Sequence, residues 1–198
     1  MSDLEVVLNN DPGALQAFSA KTDFSGENVA FLTSTAKWKA SCPESPDEAQ
    51  KREAYSRALE IYTTFISPRD ADLPLNLSSQ HLKRLEDIFE KAARLTCGEP
   101  LVNTATPFDV ETPRPKPENK EPYSYTGEIP TDFDKTVFDK AQTHIKYLVF
   151  TNTWPKFVKE QQRNQSSDAG RTGSSAESQT TLASWLSEYV TDFINSRF

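Results

Sequence analysis

The chain has few of the residues that carry chemistry alone. In 198 residues there are two cysteines, Cys42 and Cys97, two histidines, His81 and His144, and one methionine. Neither cysteine has a second cysteine or a histidine at ligand spacing, which excludes a zinc module, and two thiols make no disulfide framework. They read as reduced intracellular thiols. The histidines fall on different predicted helices, each without a carboxylate or cysteine placed to work with it, so no acid–base pair or nucleophilic triad emerges. There is no phosphate-cradling glycine loop, nucleophile elbow or zincin motif. The sequence thus predicts no catalytic residue, no metal site and no cofactor. Apolar runs fall short of the ~20 residues a membrane span needs, and there is no signal-peptide pattern or prenylation box. Basic residues are outnumbered, 22 against 29 acidic, for a net charge of -7, which argues against nucleic acid as the partner. The expected location is the cytoplasm.

What remains is helical. The low hydrophobic fraction of 36% predicts a real core accompanied by sizeable solvated segments. A short helix is predicted over Leu4–Leu8. Asp11-Pro12 then opens a helix with Ala14, Leu15 and Phe18 on one face. A polar turn at Asp23-Phe24-Ser25-Gly26 comes next, and Ser25, with Asn28 three residues on, predicts the cap of a second helix. Val29, Leu32 and Ala36 would line its inner face, with Phe31 and Trp38 beside them. Ser45-Pro46-Asp47-Glu48 is a helix start, with Ser45 as N-cap. The helix after it carries an unbroken apolar stripe at Tyr55, Ala58, Leu59, Tyr62, Phe65 and Ile66, and ends at Ser67-Pro68. Ser78 or Ser79 caps another, with Leu82, Leu85, Ile88, Phe89 and Ala92 inward, closed by Cys97-Gly98.

Residues 99–130 hold seven of the 13 prolines and little periodicity, and read as an extended or disordered insertion. Asp132 or Asp134 starts a helix striped by Val137, Ala141, Ile145 and Leu148. Asn152-Thr153 is predicted to break it and to cap a further helix. The polar stretch 161–179 reads as a flexible linker. Residues 180–197 form the cleanest amphipathic pattern in the chain, and the acidic Glu188 and Asp192 on it argue against docking on an anionic membrane. No strand pattern survives, so the predicted fold class is all-α.

Three short polar segments stand where anchored helices begin or end: Asp23–Asn28, Asn76–Ser79 and Leu148–Lys156. Any one alone is ordinary capping. Their order and spacing carry more. Phe18, Phe24-Ser25, Glu27-Asn28 and Phe31-Leu32 come first. Ile61-Tyr62 and Phe65-Ile66 lead to Leu75-Asn76-Leu77-Ser78-Ser79. Phe138, Ala141-Gln142, Ile145 and Leu148 precede Trp154-Pro155 and Phe157. Together these resemble the regulator of G-protein signalling (RGS) family over roughly residues 4–95 and 132–160.

The resemblance implies one RGS-like domain over 1–198, a bundle of about nine helices in two subdomains. It implies a partner, the activated Gα subunit of a heterotrimeric G protein. It also implies a function, acceleration of that partner's GTP hydrolysis, with membrane association only through the partner, at the inner face of the plasma membrane. The alternative is an RGS-like scaffold that binds without accelerating. Gα-binding residues carried over by the resemblance are Phe24, Ser25, Glu27, Asn28, Asn76, Ser78, Ser79, Leu148, Asn152, Thr153 and Lys156. Asn76 matches the asparagine that reaches toward the GTPase's catalytic glutamine. Asn152 stands where the family usually has aspartate, and Lys156 where it has an arginine that holds that aspartate. An amide lacks charge assistance and a lysine lacks the guanidinium fork, so weaker binding is expected at this corner. The 99–130 insertion falls where the family contacts Gα beyond its switches, which implies a part in selectivity.

Overall fold

A computed structural model of the chain describes residues 2–97 and 125–168, all of them helical or in loops. The elements are α1 (Ser2–Asn10), α2 (Gly13–Phe18), α3 (Gly26–Ser41), α4 (Glu48–Phe65), α5 (Ser79–Cys97), α6 (Asp139–Leu148) and α7 (Trp154–Asp168). Two π-helical turns extend this set. Ser19–Asp23 continues α2, and Val149–Thr153 joins α6 to α7. The predicted 180–197 helix and most of the 99–130 insertion lie outside the described residues.

The core is a cluster of aromatic rings. Phe138 stacks on Phe89 at 5.7 Å between centroids and meets Phe31 and Trp38 edge-on at 6.1 and 5.3 Å. Phe89 in turn stacks on Tyr55 and Tyr62 of α4. Each buried polar handle finds an acceptor: Trp38 Nε1 donates to the Ala54 carbonyl, Tyr55 to that of Ile88, and Tyr62 to the Glu90 carboxylate. Burial, then the Glu90 hydrogen bond and charge, push the Tyr62 hydroxyl far above its ordinary value, so it stays a neutral donor. All six residues of the predicted α4 stripe are buried.

Several boundaries differ from expectation. Asp47, not Ser45, caps α4. Its carboxylate accepts from Gln50 N (2.7 Å) and Gln50 Oε1 accepts from Asp47 N (3.0 Å), a complete capping box. Ala14 and Ala36 are exposed. On α3 the inward positions near Ala36 go to Ser34 and Thr35, and Gln142 Nε2 of α6 donates to Thr35 Oγ1 at 2.7 Å, so a polar stitch takes the place of an apolar contact. Ser25 makes no side-chain cap. Asp134 closes a turn by accepting from Thr136 N, and regular helix begins only at Asp139.

The predicted break at Asn152-Thr153 does not occur. Pro155 cannot donate to the ladder, and just ahead of it the bonding widens to a π turn, with Trp154 N–H reaching Val149 O. The helix therefore runs on. α7 extends to Asp168, so residues 161–168 are helix rather than linker. Within the segment read as an insertion, Tyr125 is buried. Its N–H donates to Ser56 Oγ and its ring meets Tyr55, while Arg52 binds the Gly127 carbonyl.

Truncating the ring on which the helices converge, Phe138→Ala, is expected to cost about 3–5 kcal/mol in urea unfolding, and Asp47→Ala about 1 kcal/mol. A Phe138→Ala loss no larger than that of the cap would remove Phe138 from the centre of the core.

Candidate functional site

The first and third predicted segments meet. The Asp23 side chain, 6% exposed, accepts from Lys156 Nζ at 2.5 Å. It also accepts from the hydroxyls of Ser25 and Thr153, each at 2.7 Å. Those hydroxyls lie 3.1 Å from one another. Four side chains from chain positions about 130 residues apart thus form one polar knot. Beneath it Phe18 meets Phe157 edge-on at 5.6 Å, and Phe157 packs on Trp154. Gln16 Nε2 holds the Gly26 carbonyl at 3.1 Å. The start of α3 presses so close to the π turn that a Cβ on Gly26 would stand 3.0 Å from Ala20 Cα. Glycine allows that approach without the neighbour giving way.

Above the knot sits Phe24. It has φ 52°, the sole positive φ among described residues other than glycine, and the residue is 84% exposed. Glycine usually fills such a position at a helix end, and a side chain there costs about 1–2 kcal/mol. An exposed aromatic held in a strained conformation has no packing role in the chain itself. Glu27 and Asn28 stand on the first turn of α3. Asn28 Nδ2 donates to Glu27 Oε1 at 2.9 Å, while Asn28 Oδ1 is buried with no hydrogen-bond partner.

The second segment is a loop pinned to the end of α4. Leu73 N donates to Thr64 O and Leu75 N to Phe65 O. Leu77 N closes a tight turn onto Leu75 O, which leaves Asn76 exposed at the tip while Leu75 and Leu77 pack on the core. Ser78 caps α5 through His81 N (3.4 Å), and Ser78 and Ser79 are exposed. His81 meets His144 with ring centroids 5.6 Å apart. His144 lies one turn before Leu148, so the second loop stands beside the end of α6 that leads into the third segment. No side-chain hydrogen bond among the described residues joins Asn76 to the other two.

Leu148 is half-buried, Asn152 and Lys156 are exposed, and Thr153 is 2% exposed. Lys156 pairs with Asp23 across the corner. Thr153 is internal to the knot, so its hydroxyl is occupied. Sequence reasoning misses Asp23 as a member. It lies in the first predicted segment, but two of its three partners, Thr153 and Lys156, are remote in sequence. A groove of about 570 Å³ lies elsewhere, lined by Leu8, Leu32, Lys39 and Lys146 among others and by none of the predicted site residues.

Burial alone pushes the Asp23 carboxyl up, but hydrogen bonds from Lys156, Ser25 and Thr153, with the lysine's charge, outweigh it and hold Asp23 below its ordinary 3.8. Glu27 goes the other way. Burial raises it above 4.5, its own backbone N–H opposes, and the Asp23 charge adds to the rise. As pH falls through 3.8 the unfolded chain takes up a proton that folded Asp23 refuses, so its contribution is full above that value and lost below it. Urea unfolding between about pH 5 and pH 3 is expected to show stability falling with acid, and less steeply in Asp23→Asn. Equal slopes would mean that the carboxylate is not held.

Among the described residues no helix is long and apolar enough to cross a membrane, and no group of three or more metal-ligating side chains forms. Searches of curated proteins and of solved structures give no match. The profile of the regulator of G protein signaling domain matches residues 3–164, which takes in all three segments and the helices that carry them. The chain belongs to the regulator of G protein signaling (RGS) domain family.

Proposed function

We propose that the chain binds a Gα subunit in its activated state and accelerates its GTP hydrolysis, attenuating heterotrimeric G-protein signalling from the cytoplasm at the inner face of the plasma membrane. The observation that carries this reading is the first corner: a strained, exposed Phe24 beside the Glu27-Asn28 pair on the first turn of α3.

The chemistry then belongs to the GTPase, which carries its own arginine yet hydrolyses slowly. A helper needs no acid or base. It speeds the reaction by binding the switches more tightly in their transition-state arrangement than in the ground state. Phe24, Ser25, Glu27 and Asn28 form one jaw. Asn76, Ser78 and Ser79 form another, with the Asn76 carboxamide free to orient the catalytic glutamine. Leu148, Asn152 and Lys156 flank the first.

A specific feature favours a second reading, a binding module without acceleration. Lys156 is committed to Asp23, and Asn152 offers an uncharged acceptor where the family offers a carboxylate. The two readings differ in a single measurement.

In single-turnover assays the chain is expected to speed GTP hydrolysis by at least one Gα class and to prefer Gα·GDP·aluminium fluoride over Gα·GDP. Asn76→Ala is expected to lose at least about ten-fold in acceleration, or about 1.4 kcal/mol, while changing unfolding stability by less than about 0.5 kcal/mol. Asn28→Ala is expected to lose a similar factor in acceleration. Tight binding without acceleration, across Gα classes, would select the scaffold.

A further inference from the structure

Resting on the Gα reading, we propose that Asp23 is the positioning residue of the first corner: through Ser25, Thr153 and Lys156 it fixes Phe24 and the Glu27-Asn28 pair in their contact geometry. A residue other than glycine stays at positive φ only where its surroundings over-determine it. Phe24 is 84% exposed, so packing does not hold it.

Phe24 N–H and Ser25 N–H both donate to the Ser19 carbonyl, which closes the turn, and the side chains of both neighbours add to that hold. The side chain before Phe24, Asp23, and the one after it, Ser25, are joined at 2.7 Å, bracketing the residue between them. Thr153 and Lys156 tie the same carboxylate to the third segment. The bracket needs a carboxylate. Three donors converge on two oxygens, and a carboxamide would keep one acceptor and turn its N–H groups toward donors. Lys156 is there to neutralise a 6%-exposed anion, although its own side chain is 62% exposed. Removing it leaves that charge buried and short of a partner. Asp23 touches no reacting atom, so its effect passes through the residues it places.

The test has two arms. In the free chain, Asp23→Asn and Lys156→Met are expected to speed amide exchange over residues 24–28 by about ten-fold or more, with protection in α4 and α5 retained. Lys156→Arg, which keeps the charge, is expected to preserve it. In single-turnover GTP hydrolysis, Asp23→Asn, which removes no proposed contact, is expected to raise the concentration of chain needed for half-maximal acceleration by about ten-fold, with the maximal rate little changed. The double variant is expected to exchange no faster over residues 24–28 than either single one. In Lys156→Met the Asp23 carboxylate keeps its bonds from Ser25 and Thr153, so helical circular dichroism is expected to be retained. Unchanged exchange at 24–28 in Lys156→Met overturns the proposal whatever the hydrolysis assay shows. If the unaltered chain accelerates no Gα, the Gα reading falls, and the exchange arm alone decides whether the bracket exists.

Discussion

Phe138 is where the helices converge. Its ring lies flat on Phe89 of α5 and meets Phe31 and Trp38 of α3 edge-on, one residue before α6 begins. Through Phe89 the same cluster reaches Tyr55 and Tyr62 of α4. Contacts of this kind contribute about 0.5–1.5 kcal/mol each beyond the area they bury. Their geometric effect matters more here. α3 opens at the first corner, α5 at the second, and α6 runs into the third. Each corner is an end of an element the rings already hold, so loops that would otherwise be mobile inherit the rigidity of the core.

The two π turns do the fine placement. Each adds a residue to its turn and so rotates the next side chains away from the directions a regular helix would give them. At Val149–Thr153 the outcome is a division of labour between neighbours: Asn152 faces out while Thr153 turns inward onto Asp23. At Ser19–Asp23 the turn ends with Asp23 directed at that same hydroxyl and Phe24 thrown outward. Neither turn alone makes a corner. Asp23 joins them.

The helical content is legible because apolar spacing reports it directly. The α4 stripe needs no tertiary knowledge, and all its members are buried. The π turns leave no such mark. Asn152-Thr153-Trp154-Pro155 carries every sign of a helix start, and the same letters satisfy a continuous helix once the ladder widens ahead of the proline. The left-handed Phe24 is illegible for a related reason, since local preference argues for glycine there. Asp23 and Lys156 become partners only when chain positions 133 apart are brought together, and no local pattern encodes that. Asn76 is easier to read. Leu75 and Leu77 point inward on either side of it, an alternation visible in the sequence.

In the proposed function the domain accelerates a partner without supplying a reacting group, and its one resource is then the geometry it holds before contact. Binding energy spent on ordering its own loops is unavailable for ordering the partner's. The strain at Phe24, of order 1–2 kcal/mol, is therefore better borne by the fold, where the aromatic core offsets it, than at the moment of association. The same logic accounts for burying a carboxylate under three donors rather than closing the corner with apolar residues. An apolar closure would be as stable and would not dictate direction. Hydrogen bonds of 2.5–2.7 Å onto one carboxylate fix both position and orientation, which is what a surface must do when it selects one arrangement of another protein's moving loops.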